Sequence, residues 1–322
     1  MKKSVSISVA LAALLTFGAS APALAAQTRT LPSGERLFAV DCQDTIGQVA
    51  SIDVTTGVVT PLSAGNPGPT QDCAADGGWD PVSGFAYYAA WFTEPNNLYK
   101  VDVTSGLATD MGEVDFPAGS LNTVNDVTGG IMFDAAGVAY VSFSAYDSNN
   151  VFGQWVGRLN VTNGDITNEH KLTLGGNWIT TDELWSGDFN PADGKFYLIN
   201  SDNDELMEVD MSTGIAISHG QKDVNSDSWY GLAIDSNGVL WSTGSDYVTS
   251  STVAGWATSG TEQVSENVTQ VNGNSWYSES NFIVGRAALA ETGLDSNVIA
   301  LTAAAWITAG VALLAVRRRV RA

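Results

Sequence analysis

The sequence predicts an all-β chain built as a closed ring of repeated four-stranded units. Three observations carry this. A five-residue turn motif recurs at nearly even spacing, a second turn recurs upstream of it, and the apolar runs between turns are short.

The first motif is [Asp/Asn]-[Val/Met]-[Thr/Ser]-x-Gly. It stands at Asp53–Gly57, Asp102–Gly106, Asn160–Gly164 and Asp210–Gly214, with a degenerate copy at Trp256–Gly260. The steps between copies are 49, 58, 50 and 46 residues. Each copy ends a short run such as Leu98-Tyr99-Lys100-Val101 or Leu206-Met207-Glu208-Val209. Period-two alternation is a strand signal, and Asp or Asn followed by Gly is a hairpin signal.

The second turn lies 20 to 26 residues upstream of each later copy, at Asp80–Gly84, Asp134–Gly137, Asn190–Gly194 and Asp235–Gly238. An apolar strand follows each, as in Phe85-Ala86-Tyr87-Tyr88 and Phe196-Tyr197-Leu198-Ile199. One unit therefore reads strand, turn, strand, loop, strand, Gly turn, strand. Four antiparallel strands in that length make a β-propeller blade. Four complete units begin near residues 73, 127, 183 and 228. A first unit, opening at Leu37-Phe38-Ala39-Val40, lacks its inner strand, and a lone strand, Ser280–Val284, ends the series. Joined, these two pieces complete a fifth blade and leave no open edge. The alternatives are six blades, with a divergent one in the stretch 107–160, or a β-sandwich. The repeats resemble those of the broad propeller superfamily with Tyr-x-x-Asp-x-x-Thr-Gly-like units, a resemblance that speaks to fold and not to function.

Eight residues upstream of each second turn stands an acid: Asp72, Asp126, Asp182 and Asp227. Asn274-Ser275-Trp276-Tyr277 matches Asp227-Ser228-Trp229-Tyr230, which gives Asn274 the fifth place. That register is the entrance to the innermost strand, so the five side chains are expected around one mouth of the central channel. Crowded carboxylates need compensation, and hard oxygen ligands suit Ca²⁺ or a cationic ligand. The alternative is that Asp caps the loop entering each strand. Trp185, Trp229 and Trp276 follow the acids closely and are candidate ligand-binding residues, or else wedges between blades; Trp178 lies near the same end.

The two ends read as addresses. Residues 1–25 have a signal-peptide pattern: Lys2 and Lys3, an apolar run Val9–Phe17, and Ala23-Leu24-Ala25 before the expected cut. Residues 26–35 lead into a propeller spanning 36–284, followed by a linker, 285–288. Residues 298–316 are uncharged and as a helix would span roughly 28 Å, enough for a membrane. The basic tail 317–322 would hold that end in the cytoplasm. Before the apolar run stands Leu289-Ala290-Glu291-Thr292-Gly293. Pentapeptide, apolar span and basic tail in this order resemble the cell-wall sorting signal of Gram-positive surface proteins, in the Leu-Ala-x-Thr-Gly form of actinobacterial class E sortases. The resemblance implies transient membrane insertion, cleavage between Thr292 and Gly293, and joining of Thr292 to peptidoglycan, with sortase and peptidoglycan as partners and the cell wall as destination.

The whole chain has 14 basic and 35 acidic residues, a net charge of −21. Six of the basic residues and one acid lie in the end segments, so 26–292 keeps eight against 34, a net −26. Nucleic acid as a partner is excluded by this balance, since phosphates need a basic footprint. Cys42 and Cys73 are the two cysteines, and an even count in an exported chain favours a disulfide. No nucleophile elbow, His-rich metal spacing or phosphate loop occurs. The leading expectation is a secreted, wall-anchored binding module with an unknown surface ligand. The rival is a Ca²⁺-dependent hydrolase similar to propeller lactonases that hold the metal in the channel.

Overall fold

The computed structural model describes residues 30–285 apart from 42–48, 63–72, 75–76, 92–95, 117–125, 181–183, 201–202, 222–230, 244–246, 257–261 and 267–277. Blade 1 has β1 (Arg36–Asp41), β2 (Val49–Ile52) and β3 (Val59–Pro61). Blade 2 has β4 (Cys73–Ala74) and β5 (Gly78–Asp80) on its inner side, then β6 (Phe85–Trp91), β7 (Asn97–Asp102) and β8 (Leu107–Glu113). Blade 3 is β9 (Asp126–Phe133), β10 (Ala139–Tyr146), β11 (Phe152–Leu159) and β12 (Ile166–Lys171). A small hairpin follows, β13 (Thr173–Leu174) and β14 (Asn177–Trp178). Blade 4 is β15 (Leu184–Asn190), β16 (Lys195–Asn200), β17 (Glu205–Asp210) and β18 (Ile215–Gln221). Blade 5 is β19 (Gly231–Ile234), β20 (Leu240–Thr243), β21 (Tyr247–Ser251) and β22 (Glu262–Glu266). The last strand, β23 (Ser278–Val284), returns to blade 1 and pairs antiparallel with β1, Leu37 opposite Ile283.

The expected five-bladed propeller is therefore the fold, closed by the first and last strands. The inner strands touch in the order β5, β9, β15, β19, β23 and back to β5. Among the described residues there is no sixth sheet, and the stretch 107–160 holds the end of blade 2 and most of blade 3.

Packing explains why the strands are apolar on both faces. Each blade is sandwiched between two others, so alternate side chains enter different cores. In β1, Leu37 and Ala39 pack with Trp241 and Val248 of blade 5, whereas Phe38 and Val40 pack with Trp79 and Tyr88 of blade 2. In β16, Phe196 and Leu198 face Met132 and Val156 of blade 3, and Tyr197 and Ile199 face Leu232 and Trp256 of blade 5. A fifth cluster joins Tyr87 and Leu98 of blade 2 to Phe143 and Trp155 of blade 3. Five interfaces for five blades is the arithmetic of a closed ring. Trp79, Trp155, Trp241 and Trp256 are wedges in these interfaces.

The recurrent turns share one chemistry. Oδ1 of Asp53, Asp102, Asn160 and Asp210 accepts from the N–H two residues on, at 2.8–3.0 Å. The backbone carbonyl of each accepts from the closing glycine at 2.7–2.8 Å. The inner turns repeat the side-chain bond at Asp80, Asp134, Asn190 and Asp235. Trp256, in the degenerate copy, follows a 3-10 turn (Val253–Gly255) and is fully buried between blades 4 and 5. It fills an interface from the position where the other copies place a turn Asp or Asn.

Candidate ligand-binding face

Strand direction gives the ring two unlike faces. At one stand eight tight turns, the inner turns Asp80–Gly84, Asp134–Gly137, Asn190–Gly194 and Asp235–Gly238 and the outer turns Asp53–Gly57, Asp102–Gly106, Asn160–Gly164 and Asp210–Gly214; the outer connection of blade 5 instead runs from Ser251 to Glu262. At the other, the inner strands begin and long connections arrive, running Pro61 to Cys73, Glu113 to Asp126, Lys171 to Leu184, Gln221 to Gly231 and Glu266 to Ser278. Rigid strands presenting long loops at one end is the usual arrangement of a binding surface.

Asp126 is the first residue of β9, opposite Ser144, at the strand entrance that its register predicts. Asp72, Asp182, Asp227 and Asn274 lie outside the described residues, as do Trp229 and Trp276. Trp185 falls at the register shift between Leu184 and Ser186 in β15. Cys73 is in β4, which lies beside β1; Cys42 lies outside the described residues, as do the segment 1–25, the motif Leu289–Gly293 and the stretch 298–316. Among the described residues no helix is long and apolar enough to cross a membrane, and no group of three His, Cys, Asp or Glu side chains is placed to hold a metal.

A second cluster on this face was not anticipated. The loop between β10 and β11 folds around Asp147, whose Oδ1 accepts from Asn149 and Val151 N–H at 2.9 and 3.0 Å. Its Oδ2 accepts from Lys171 Nζ at 2.6 Å. The Lys171 bond, followed by the Val151 N–H, holds the Asp147 carboxyl down at about 2. The same ammonium lies 3.7 Å from the centre of the Trp178 ring. Trp178 meets Trp155 edge-on, packs against Gly153 and donates Nε1–H to the Gln154 carbonyl at 2.9 Å. Trp178 is thus a clip that fastens the β13–β14 hairpin to blade 3 rather than a free platform for a ring-shaped ligand. Its sequence signal was Gly175-Gly176, a two-residue hairpin turn.

The inner strands are also stitched by polar side chains. Ser186 Oγ accepts from Leu232 N–H, and Asp188 Oδ2 accepts from Ile234 N–H at 2.8 Å. These two N–H groups lie on the side of β19 that its partner β20 leaves open. Both acceptors are buried, Asp188 at 3% exposure. Thr128 of β9 donates to Gln154 Oε1 at 2.8 Å, another fully internal bond. On the flank of blade 4, His219 lies 3.1 Å from Glu208, which also accepts from Lys195 at 2.8 Å. Burial raises the Glu208 carboxyl, but Lys195 and His219 outweigh it and leave it below its ordinary value. This group sits on β16, β17 and β18, outward of the inner strand β15.

No protein-family model matches the chain, and no curated protein sequence matches it. Solved structures of similar shape include a chain of the nidogen/laminin complex, 14% identical with a TM-score of 0.44, covering 78% of this chain and 98% of that one. A structural-genomics protein from Bacteroides thetaiotaomicron is 17% identical with a TM-score of 0.41, covering 67% and 52%. TolB from Acinetobacter baumannii is 13% identical with a TM-score of 0.39, covering 79% and 68%. The strand order and the five inter-blade cores, not these likenesses, establish the propeller.

Proposed function

We propose that this chain is an exported, wall-anchored propeller that works as a binding module, with its ligand on the face of long connections. The carrying observation is the contrast between the two faces: one carries eight hydrogen-bonded tight turns, while at the other the longer connections enter the inner strands. Asp126 opens an inner strand there, and the repeat register gives Asp72, Asp182, Asp227 and Asn274 the same station. The ligand this set suits is cationic, Ca²⁺ in the simplest case, because clustered carboxylates lower their mutual repulsion by binding positive charge. Sorting by a sortase at Thr292–Gly293 and linkage to peptidoglycan would fix the module at the cell surface.

The test is thermal melting of the secreted segment 26–288 against Ca²⁺. A site filled at about a hundred times its Kd adds about 2.7 kcal/mol. That is a rise of roughly 5–10 °C at the usual 2–4 °C per kcal/mol for a domain of this size. The rise should vanish in the double variant Asp126→Asn/Asp182→Asn. Unchanged melting at millimolar Ca²⁺ would reject the cation site.

A further inference from the structure

The path of the chain ends says which face meets the wall. β23 runs from the channel mouth of long connections to the opposite face and ends at Val284, paired with Arg36. A Cβ on Gly285 would sit 2.4 Å from the Gly34 carbonyl, so the two chain ends leave the ring side by side. Glu35 accepts from Ser236 N–H at 3.2 Å, inside the inner turn of blade 5. Both ends therefore leave where a fifth inner turn would stand, on the tight-turn face and close to the channel axis.

Resting on the wall-anchoring reading above, we propose that the tight-turn face lies against the peptidoglycan and the long-connection face points outward. The tether decides it. From Gly285 to Thr292 is seven peptide steps, at most ~25 Å when fully extended. A domain of ~250 residues has a radius near 23 Å, taken from a radius of gyration of about 18 Å, and its seven-residue strands are ~23 Å long. To reach a wall on the other side, the tether would have to run out to the rim and up its full height, ~46 Å. It is too short by nearly half.

Among the described residues six large apolar side chains are exposed; Val82 sits in an inner turn of this face, and Val58, Leu107 and Ile215 directly follow outer turns. The occupant assigned to this face is the peptidoglycan layer to which the chain is joined.

The test labels variants of the full chain, each with one added cysteine, on intact cells with a polyethylene-glycol maleimide. Ser148→Cys reports the outward face, Val82→Cys and Leu107→Cys the wall face, and the unaltered chain gives the background from Cys42 and Cys73. Ser148→Cys should label equally on cells and after enzymatic digestion of the wall. Val82→Cys and Leu107→Cys should label severalfold more slowly on cells and recover full rate after digestion, or when Thr292→Ala releases the protein. Equal labelling of both faces on wall-bound protein overturns the orientation while leaving the anchor standing. If Thr292→Ala does not change the wall fraction, the anchor fails and the orientation fails with it.

Discussion

Replacing Gly214 by Ala separates what the turn needs from what the ring needs. Gly214 has φ 71° and closes the outer turn of blade 4. An alanine in that left-handed region costs about 1–2 kcal/mol. Its Cβ would also lie 2.3 Å from the Lys171 carbonyl, in the last strand of blade 3. Relief requires the blades to part, which strains Thr173 N–H to Gly214 O, a 2.8 Å bond joining them. Overpacking of this kind costs about 1–3 kcal/mol, and the hydrogen bond about 1. Gly194 is the control: its φ is 77°, and an added Cβ would meet nothing within 4 Å. Gly194→Ala should therefore cost ~1–2 kcal/mol and Gly214→Ala ~3–6 kcal/mol. At about 2–4 °C per kcal/mol, the second should melt roughly 4–16 °C below the first. Gly164→Ala, whose Cβ would lie 2.2 Å from the Glu113 carbonyl, should behave like Gly214→Ala. Tryptophan fluorescence melts of the three variants give the answer. Equal melting temperatures would refute the claim that outer turns press on the preceding blade.

Other outcomes follow from the same contacts. Asp188→Ala should cost about 1–3 kcal/mol by leaving the Ile234 N–H buried without its acceptor, and Asp188→Asn, which keeps an acceptor oxygen, should cost less; urea titration measures both. Asp147 has its carboxyl lowered from the ordinary ~4 to about 2 in the fold. Its contribution is therefore present above pH ~4 and lost as pH falls toward 2, so Asp147→Asn should melt lower than the unaltered chain at pH 5 and converge with it in acid. Cys42 and Cys73 should resist alkylation until reduced, and reduction should lower stability by about 3 kcal/mol for a loop of about thirty residues; prompt alkylation without reductant, read by intact mass, would reject the bridge. Removing β23 should leave Leu37 and Ala39 without Ile283 and give a chain that aggregates or melts without cooperativity.

Much of this fold was legible because its turns are local chemistry. An Asp or Asn that can accept from the N–H two residues on, with a Gly placed for positive φ, needs no distant partner, so Asp53, Asp102, Asn160 and Asp210 could be read directly. Ring closure was legible from strand counting: a first unit lacking an inner strand and a last strand lacking a unit. The stitches were not. Ser186 and Asp188 break an apolar strand at alternate positions, a visible signal, but their donors are backbone groups 46 residues away, and backbone carries no letter. The parallel pairing of β13 with β18, Thr173 opposite Ile215, was hidden for the same reason, since two-residue strands have no period. Trp178 illustrates the limit for site residues. Its place at the end where the inner strands begin was readable, yet its position on the outer edge of blade 4 was not, and whether its ring was free depended on Lys171, which the fold brings onto it.

The central claim is that the strand entrances form the ligand face and offer oxygen ligands to a cation. Anomalous diffraction from crystals soaked in Tb³⁺, a Ca²⁺ substitute, tests it most directly. One dominant peak is expected near the channel axis, with Asp126 oxygens at about 2.3–2.6 Å, the range of oxygen ligands around Ca²⁺. Peaks confined to the acids of the tight-turn face, such as Asp53 and Asp102, or no peak at the strand entrances, would contradict it.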